Sequence, residues 1–338
     1  MTTAATLDDP QLRSFLADVD RHMLELVDAH EGPVAAAARG PIAAGGKRLR
    51  PLLVRAARPR ALEGDDAGRM SFDTCSLRAG AAVELIHTAT LVHDDLLDGA
   101  ALRRGEPTVG ATSGRDVAIA AGDLLFSLAF DTLVGCRNAT DERRVLRATR
   151  VLARASRTLA EGEALQARQA RDPHLAEVGY LDRCAMKTGI LFEAALQLGA
   201  ILGGAELEDI DTLARFGRLV GTAFQVADDV LDCGSPETEA LLGKRPGADL
   251  RDGTMTLPML RAVVRDDSLA ARIAGPDIAD ADVEPLLADI RATGAVDSAA
   301  DFALAMRRDA EALLPELGNR FDIGPLRTIA AASVDRLS

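Results

Sequence analysis

The chain has 338 residues, of which 48% are hydrophobic, 27% charged and only 3% aromatic, with one tyrosine and no tryptophan. Few aromatics and few β-branched runs argue against a sheet-based core, because those side chains pack best on a pleated surface. The composition therefore predicts an all-α protein. A net charge of −13, from 39 basic and 52 acidic residues, argues against a nucleic-acid binder and against direct recruitment to anionic membranes. A phosphate substrate stays open if metal ions and a local basic cluster invert the charge at the site. Cys75, Cys136, Cys184 and Cys233 are widely spaced, without zinc-ligand or redox spacing, and read as free thiols of a reducing compartment. The N-terminus lacks a basic region followed by an apolar core, and no uncharged apolar run approaches a membrane span. The expectation is a cytoplasmic protein with no transmembrane segment.

In chain order, Asp9-Pro10 opens the first helix, with a capping carboxylate and then proline at the first helical position. Leu12, Phe15, Leu16, Val19, Met23 and Leu26 carry it at helical spacing to about His30. Gly32-Pro33 stops it, and a small-residue segment leads to Gly45-Gly46-Lys47-Arg48-Leu49-Arg50-Pro51 at the start of an apolar helix. Two glycines let the backbone approach a ligand closely. Three cations in four residues, a lysine point charge and forked arginines, suit a diphosphate; a solvated basic loop is the alternative.

Residues 59–71 read as a polar loop, and a central helix runs from about Phe72 to Asp98. It ends in His93-Asp94-Asp95-Leu-Leu-Asp98. Asp94 and Asp98, four residues apart, share one helical face and repel each other. A divalent cation removes that repulsion, and magnesium uses one or two carboxylates while taking other ligands from water and phosphate. His87, seven residues before Asp94, shares its face, whereas His93 points elsewhere and reads as structural. Directly afterwards, Arg103-Arg104 leaves the carboxylate end. Gly114 to about Val134 is helical, with Phe126 and Phe130 at i, i+4. A long helix from about Asp141 to Ala170 is expected to break or kink around Glu161-Gly162-Glu163. Leu175 to Leu202 contains Lys187-Thr188-Gly189 in an apolar stretch, where a lysine is either paired or snorkels to the surface.

Glu206 to Asp232 then repeats the acidic pattern. Leu219 to Asp232 aligns with Leu85 to Asp98 without a gap and closes in Asp228-Asp229-x-x-Asp232. One such motif in an acidic chain is weak evidence; two, each ending a long apolar helix, point to a two-part metal–diphosphate site. Gly243-Lys244-Arg245 is a further basic segment, and Thr256-Leu-Pro258 begins C-terminal helices at about Leu257–Arg265, Val283–Ala292, Ser298–Leu314 and Pro325–Leu337. No linker is evident. The reading is one domain, residues 1–338, with a motif-bearing core at about 45–258 and C-terminal helices at about 257–337.

Taken together, Gly-Gly-Lys-Arg-x-Arg-Pro, Glu-x-x-His, His-Asp-Asp-x-x-Asp, Arg-Arg-Gly-x-Pro-Thr, Lys-Thr-Gly, Phe-Gln-x-x-Asp-Asp-x-x-Asp, Gly-Lys-x-x-Gly-x-Asp-Leu and Thr-Leu-Pro resemble the trans-polyprenyl diphosphate synthases over about Gly45 to Pro258. The resemblance implies an all-helical isoprenoid-synthase bundle around a deep apolar cavity, working as a homodimer. It implies magnesium, three ions with substrate bound, held by Asp94, Asp98 and Asp228, with Asp95, Asp229 and Asp232 supporting that site. Lys47, Arg50, His87 and Arg104 would hold isopentenyl diphosphate. Arg103, Lys187 and Lys244 would contact an allylic diphosphate (geranyl, farnesyl or geranylgeranyl), with Thr188 and Gln225 beside the developing carbocation. Where the family often has lysine in Gly-Lys-x-Thr-Leu-Pro, this chain has Thr254, which removes one contact to the allylic diphosphate.

Product length should be set on the central helix. Thr90 and Ala89, four and five residues before Asp94, are small where short-chain members carry aromatic rings. Leu85, Ile86, Phe126 and Phe130 are candidates for a deeper floor. A medium-to-long product is expected, with geranylgeranyl diphosphate second. A class I terpene cyclase would not need the second diphosphate site. A non-catalytic partner subunit would lose an acidic motif, and both are intact. A phosphohydrolase built on His93-Asp94 is hard to assemble from His22, His30, His87, His93 and His174 alone.

Overall fold

The computed structural model describes residues 9–103, 105–235, 245–276 and 278–337. In chain order the helices are α1 (Pro10–Asp28), α2 (Pro33–Ala43), α3 (Leu49–Ala56), α4 (Asp66–Leu97), α5 (Val109–Ser113), α6 (Arg115–Val134), α7 (Glu142–Gln169), α8 (Glu177–Cys184), α9 (Ile190–Gly203) and α10 (Leu207–Asp232). They continue as α11 (Ala248–Asp252), α12 (Leu257–Arg265), α13 (Ala270–Ile273), α14 (Asp280–Ala292), α15 (Ala295–Glu311) and α16 (Ile323–Val334). The all-α expectation holds. Among the described residues the only paired strands are β1 (Leu102–Arg103) and β2 (Glu106–Pro107), a minimal antiparallel hairpin.

Three local expectations change. The small-residue segment after Gly32 is helix α2, begun by Pro33 at its first position and carrying Pro41 within it; its alanines are good helix formers. The central helix starts at Asp66 rather than near Phe72, because Asp65 caps it by accepting from the Gly68 amide at 3.0 Å. Helix α7 runs unbroken through Glu161-Gly162-Glu163. Gly162 is instead a contact notch: a Cβ there would lie 2.9 Å from Met186 Cβ and 3.2 Å from the Lys187 backbone nitrogen.

The chain divides into two compact units. The first comprises the described residues up to Ser156 together with Leu191–Arg215 and Leu313–Ile329. In it α4 packs along α6, α1 and α3 pack on α4, and α2 packs on α6. Its fully buried side chains include Met23, Leu53, Phe72, Leu85, Ile86, Leu125 and Leu133. The register of α4 on α6 is antiparallel: the His93 ring lies over Gly122, while Cys75 and Cys136 each approach the other's carbonyl. The second unit comprises Arg157–Ile190, Phe216–Ala312 and the described residues from Ala330 onward. Its core gathers Tyr180, Cys184, Val226, Val230, Leu257, Leu260, Leu286 and Ile290, with α12 and α14 both packed against α15.

All four cysteines are free and buried, as their spacing implied. Segments 115–138 and 177–203 are long and apolar enough to cross a membrane by length and composition, and 44% and 72% of their apolar windows are buried within the protein.

Glycine also allows α9 to sit directly on the end of α3. A Cβ at Gly199 would meet the Val54 carbonyl oxygen at 2.1 Å and Ala57 Cβ at 2.9 Å. Backbone cannot swing aside as a side chain can. Gly199→Ala is expected to destabilise the protein by about 1–3 kcal/mol, the overpacking range, as a lower midpoint in chemical denaturation; an unchanged midpoint would show that α9 and α3 are not in this contact.

Candidate active site

In the first unit the acidic motif closes α4. Asp98 is its C-cap, still in right-handed helical geometry, so Asp94 and Asp98 share a face as their spacing predicts. Asp94 is half-buried and Asp98 exposed. Asp95 is different: it is 7% exposed and accepts from Arg103 through both Nε (2.8 Å) and Nη2 (2.7 Å). The β1–β2 hairpin, with Gly105 at φ 83, carries Arg103 back to the helix end. In this structure Arg103 thus serves Asp95, the role sequence reasoning had not given it. Arg104 and Lys244 lie outside the described residues.

The cationic turn also divides its labour. Lys47 is exposed, and Arg50 is half-buried with its guanidinium 5.2 Å from the Phe192 ring centroid, a cation–π distance. The third cation is not available to a ligand. Arg48 is buried and bound to Asp20, Glu84 and the Ile42 carbonyl. His87 is half-buried on α4. His93 fits the structural role expected of it: it stacks on Phe126 with centroids 6.2 Å apart, and its Nε2 is 3.2 Å from the Ile119 carbonyl oxygen. Ala89 and Ile86 are fully buried, and Thr90, 8% exposed, donates to the His87 carbonyl at 2.8 Å. Phe126 and Phe130 are both half-buried on α6.

In the second unit, Ala185–Gly189 forms a π-helical turn between α8 and α9. Such turns re-aim side chains and recur at functional sites. Nothing in the helical periodicity of this segment announced it. Lys187 is paired, not snorkelling: its Nζ is 2.5 Å from Glu163 Oε2 and 3.1 Å from Gln166 Oε1. Gly189 is needed because a Cβ would lie 2.9 Å from Thr222 Oγ1 and 3.1 Å from the Arg218 carbonyl oxygen.

Thr188 and Gln225, assigned together from the motifs, are brought together. The Thr188 hydroxyl donates to Gln225 Oε1 at 2.6 Å, and Gln225 Nε2 donates to Asp229 Oδ1 at 2.8 Å. The other Asp229 oxygen accepts from the Tyr180 hydroxyl at 2.7 Å. Tyr180 was not singled out from sequence; its position one helical turn before Cys184 in an apolar run was the available signal. Asp232 is 1% exposed and accepts from the backbone amides of Ala248 (3.3 Å) and Asp249 (2.9 Å), capping α11. Asp228 is half-buried.

The carboxylates differ in burial: Asp95, Asp229 and Asp232 are buried and bound to protein donors, Asp94 and Asp228 are half-buried, and Asp98 is exposed. An all-oxygen set suits a hard cation. Magnesium takes one or two carboxylates and completes its shell with water and phosphate, so carboxylate oxygens are donors of the right kind.

These features define an all-helical protein equipped to handle diphosphate esters. The polyprenyl synthetase family model matches residues 33–288, and the chain belongs to that family. It is 38% identical over 287 residues to the nonaprenyl diphosphate synthase of Mycobacterium tuberculosis, covering 82% of this chain and 79% of that protein. It is 33% identical over 287 residues to the octaprenyl diphosphate synthase of Escherichia coli, covering 83% of each. The crystal structure of a Caulobacter crescentus polyprenyl synthase complexed with calcium and isoprenyl diphosphate is similar with a TM-score of 0.82 and 34% identity, over 99% of this chain and 97% of that one.

Burial pushes the Asp229 carboxyl up to about 6, while the hydrogen bonds from Tyr180 and Gln225 pull it down. A raised carboxyl favours the protonated native state. Its contribution to stability is present below the usual carboxylate pKa and lost as pH rises through about 6. Tyr180→Phe removes one lowering bond, so the Asp229 pKa should rise further and the pH range of that loss should extend upward. Infrared titration of the carboxyl band, or stability measured against pH, checks this; an unchanged or lower midpoint would contradict the Tyr180–Asp229 bond.

Proposed function

We propose that the chain is an all-trans-polyprenyl diphosphate synthase, a prenyltransferase that condenses isopentenyl diphosphate head to tail with an allylic prenyl diphosphate in a magnesium-dependent reaction. The observation that carries this reading is the pair of intact acidic motifs closing α4 and α10, the second of them joined through Asp229 to the Thr188–Gln225 hydrogen bond. Asp94, Asp98 and Asp228 would hold magnesium, three ions with both substrates bound. The metal supplies positive charge against the diphosphate as its bond to the allylic carbon breaks.

The chain's own groups do the rest. Lys187 and Arg103, with Lys244, bind the allylic diphosphate. Arg103 and Lys187 are each already paired with a carboxylate, so the incoming diphosphate takes over a pre-positioned donor. The carbon–oxygen bond breaks with its electron pair leaving on diphosphate. The Thr188 and Gln225 oxygens face the resulting cation. Lys47, Arg50 and His87, with Arg104, hold isopentenyl diphosphate so that its double bond attacks the cationic carbon, and the released diphosphate accepts the proton then lost. A dry apolar pocket keeps water from capturing the cation. His93 packed on Gly122 speaks against a His-Asp phosphohydrolase. Two intact motifs and the Lys47–Arg50 turn speak against a non-catalytic subunit and a cyclase.

The nonaprenyl and octaprenyl relatives, matched over about four-fifths of their length, support a medium-to-long product over geranylgeranyl diphosphate. The partly open apolar face of α6, with Ile119 and Val134 exposed by 39% and 38%, supports a homodimer. A cytoplasmic location is part of the same reading.

With magnesium, isopentenyl diphosphate and farnesyl diphosphate, mass spectrometry should show extension by several isoprene units, and product ending at the first addition would overturn the long-chain assignment. Replacing Asp94, Asp98 or Asp228 by Ala should lower turnover by at least about a hundredfold, the scale of one electrostatic element, without loss of helical signal; near-normal turnover in Asp228→Ala would remove the second motif from the site.

The growing chain would run along α4 past Ala89 and Thr90, which are small and buried. From the register of His93 on Gly122, Phe126 and Phe130 fall about one and two turns further down, at roughly 5.4 Å per turn. Ala89→Phe should shorten the product while preserving condensation, and an unchanged product distribution would place the growing chain elsewhere.

A further inference from the structure

We infer that Arg48 is a positioning residue for the isopentenyl diphosphate subsite, acting through its buried ion pair with Glu84. This rests on the assignment of Lys47, Arg50 and His87 to that substrate. By sequence Arg48 is a third phosphate-binding cation. By structure it is 5% exposed, and its guanidinium is directed three ways into the protein: Nε to Asp20 Oδ1 on α1 (2.7 Å), Nη1 to Glu84 Oε1 on α4 (3.0 Å) and Nη2 to the Ile42 carbonyl on α2 (2.9 Å). One side chain thus ties three helices together at the point where the cationic turn enters α3.

Two further observations point to geometry as its purpose. Arg48 has φ 49 and ψ 39, the left-handed region that a residue with a Cβ rarely adopts. Strain of this kind persists where the surroundings over-determine it, and it concentrates at ligand clamps. A buried ion pair is also a poor source of net stability, since well-packed apolar residues of similar volume do as well or better. Here it does fix position. Glu84 lies three residues before His87, on the same face of α4, so the pair sets where the turn sits along that helix. Lys47 and Arg50 lie one residue before and two after Arg48 in the same turn, and are placed with it. Glu84 is 3% exposed, and no hydrogen bond reaches its Oε2 among the described residues, so its hold on the turn runs through Arg48.

The test is steady-state kinetics and melting temperature for Arg48→Lys, which keeps the charge and loses the fork, for Glu84→Gln, and for the double variant. The Michaelis constant for isopentenyl diphosphate should rise at least about tenfold and that for farnesyl diphosphate change less than about twofold, because a displaced cation loses its hydrogen bonds to one diphosphate only. The double variant should be no worse than the worse single one, as expected when both residues act through one contact. Equal movement of both constants, or a lower melting temperature with both constants unchanged, would overturn the inference and leave Arg48 a purely structural residue. Lys47→Ala is the control for the underlying site. If it fails to raise the isopentenyl diphosphate constant, the subsite assignment is wrong. If it does raise it while Arg48→Lys and Glu84→Gln do not, the positioning role is wrong. Should Arg48→Lys not fold, Glu84→Gln and Asp20→Asn carry the same criterion.

Discussion

Clustered carboxylates at the end of an apolar helix are the constraint on which the rest of this structure depends. Two such charges on adjacent turns repel by about 1 kcal/mol in water and several-fold more where solvent is partly excluded. The protein does not spread them apart. It gives three of the six a fixed donor that is seen directly: Arg103 for Asp95, Tyr180 and Gln225 for Asp229, backbone amides for Asp232. Even so, Asp229 is so deeply buried that its carboxyl is pushed up to about 6. Asp94 and Asp228 are half-buried and Asp98 is exposed, and these are the carboxylates proposed to meet the metal.

Much of the surrounding architecture follows from serving those donors. The two-residue hairpin after α4 has no core of its own, yet it returns Arg103 to Asp95. The π-helical turn at Ala185–Gly189 places Lys187 on Glu163 and Thr188 on Gln225. Gly162 and Gly189 let neighbouring backbone approach that turn where any larger residue would collide. Buried arginine works the same way at the cationic turn, where Arg48 is held by Asp20 and Glu84.

The fold class was legible in sequence because it rests on short-range spacing. The acidic motifs repeat without a gap, and Thr188 and Gln225, read from separate motifs, do form a 2.6 Å hydrogen bond. Family membership followed from the order of motifs, none of which is specific alone. What sequence missed depends on long-range packing. Arg48 looks like a ligand-binding cation until its buried carboxylate partner Glu84, 36 residues away, is seen. Gly162 looks like a helix break, but a single glycine weakens a helix by only about 1 kcal/mol, less than packing on Met186 and Lys187 can offset. The π turn has no compositional mark, and Tyr180 matters only because Asp229 lies opposite it.

The central claim is that Asp94 and Asp98 of the first motif and Asp228 of the second hold the metal together with an allylic diphosphate. Isothermal titration of manganese, with a non-cleavable thio-analogue of farnesyl diphosphate present, tests it without requiring turnover. The account predicts metal binding that strengthens with the analogue and is lost in both Asp94→Ala and Asp228→Ala. Metal and analogue binding to Asp228→Ala as tightly as to the unaltered protein would contradict it.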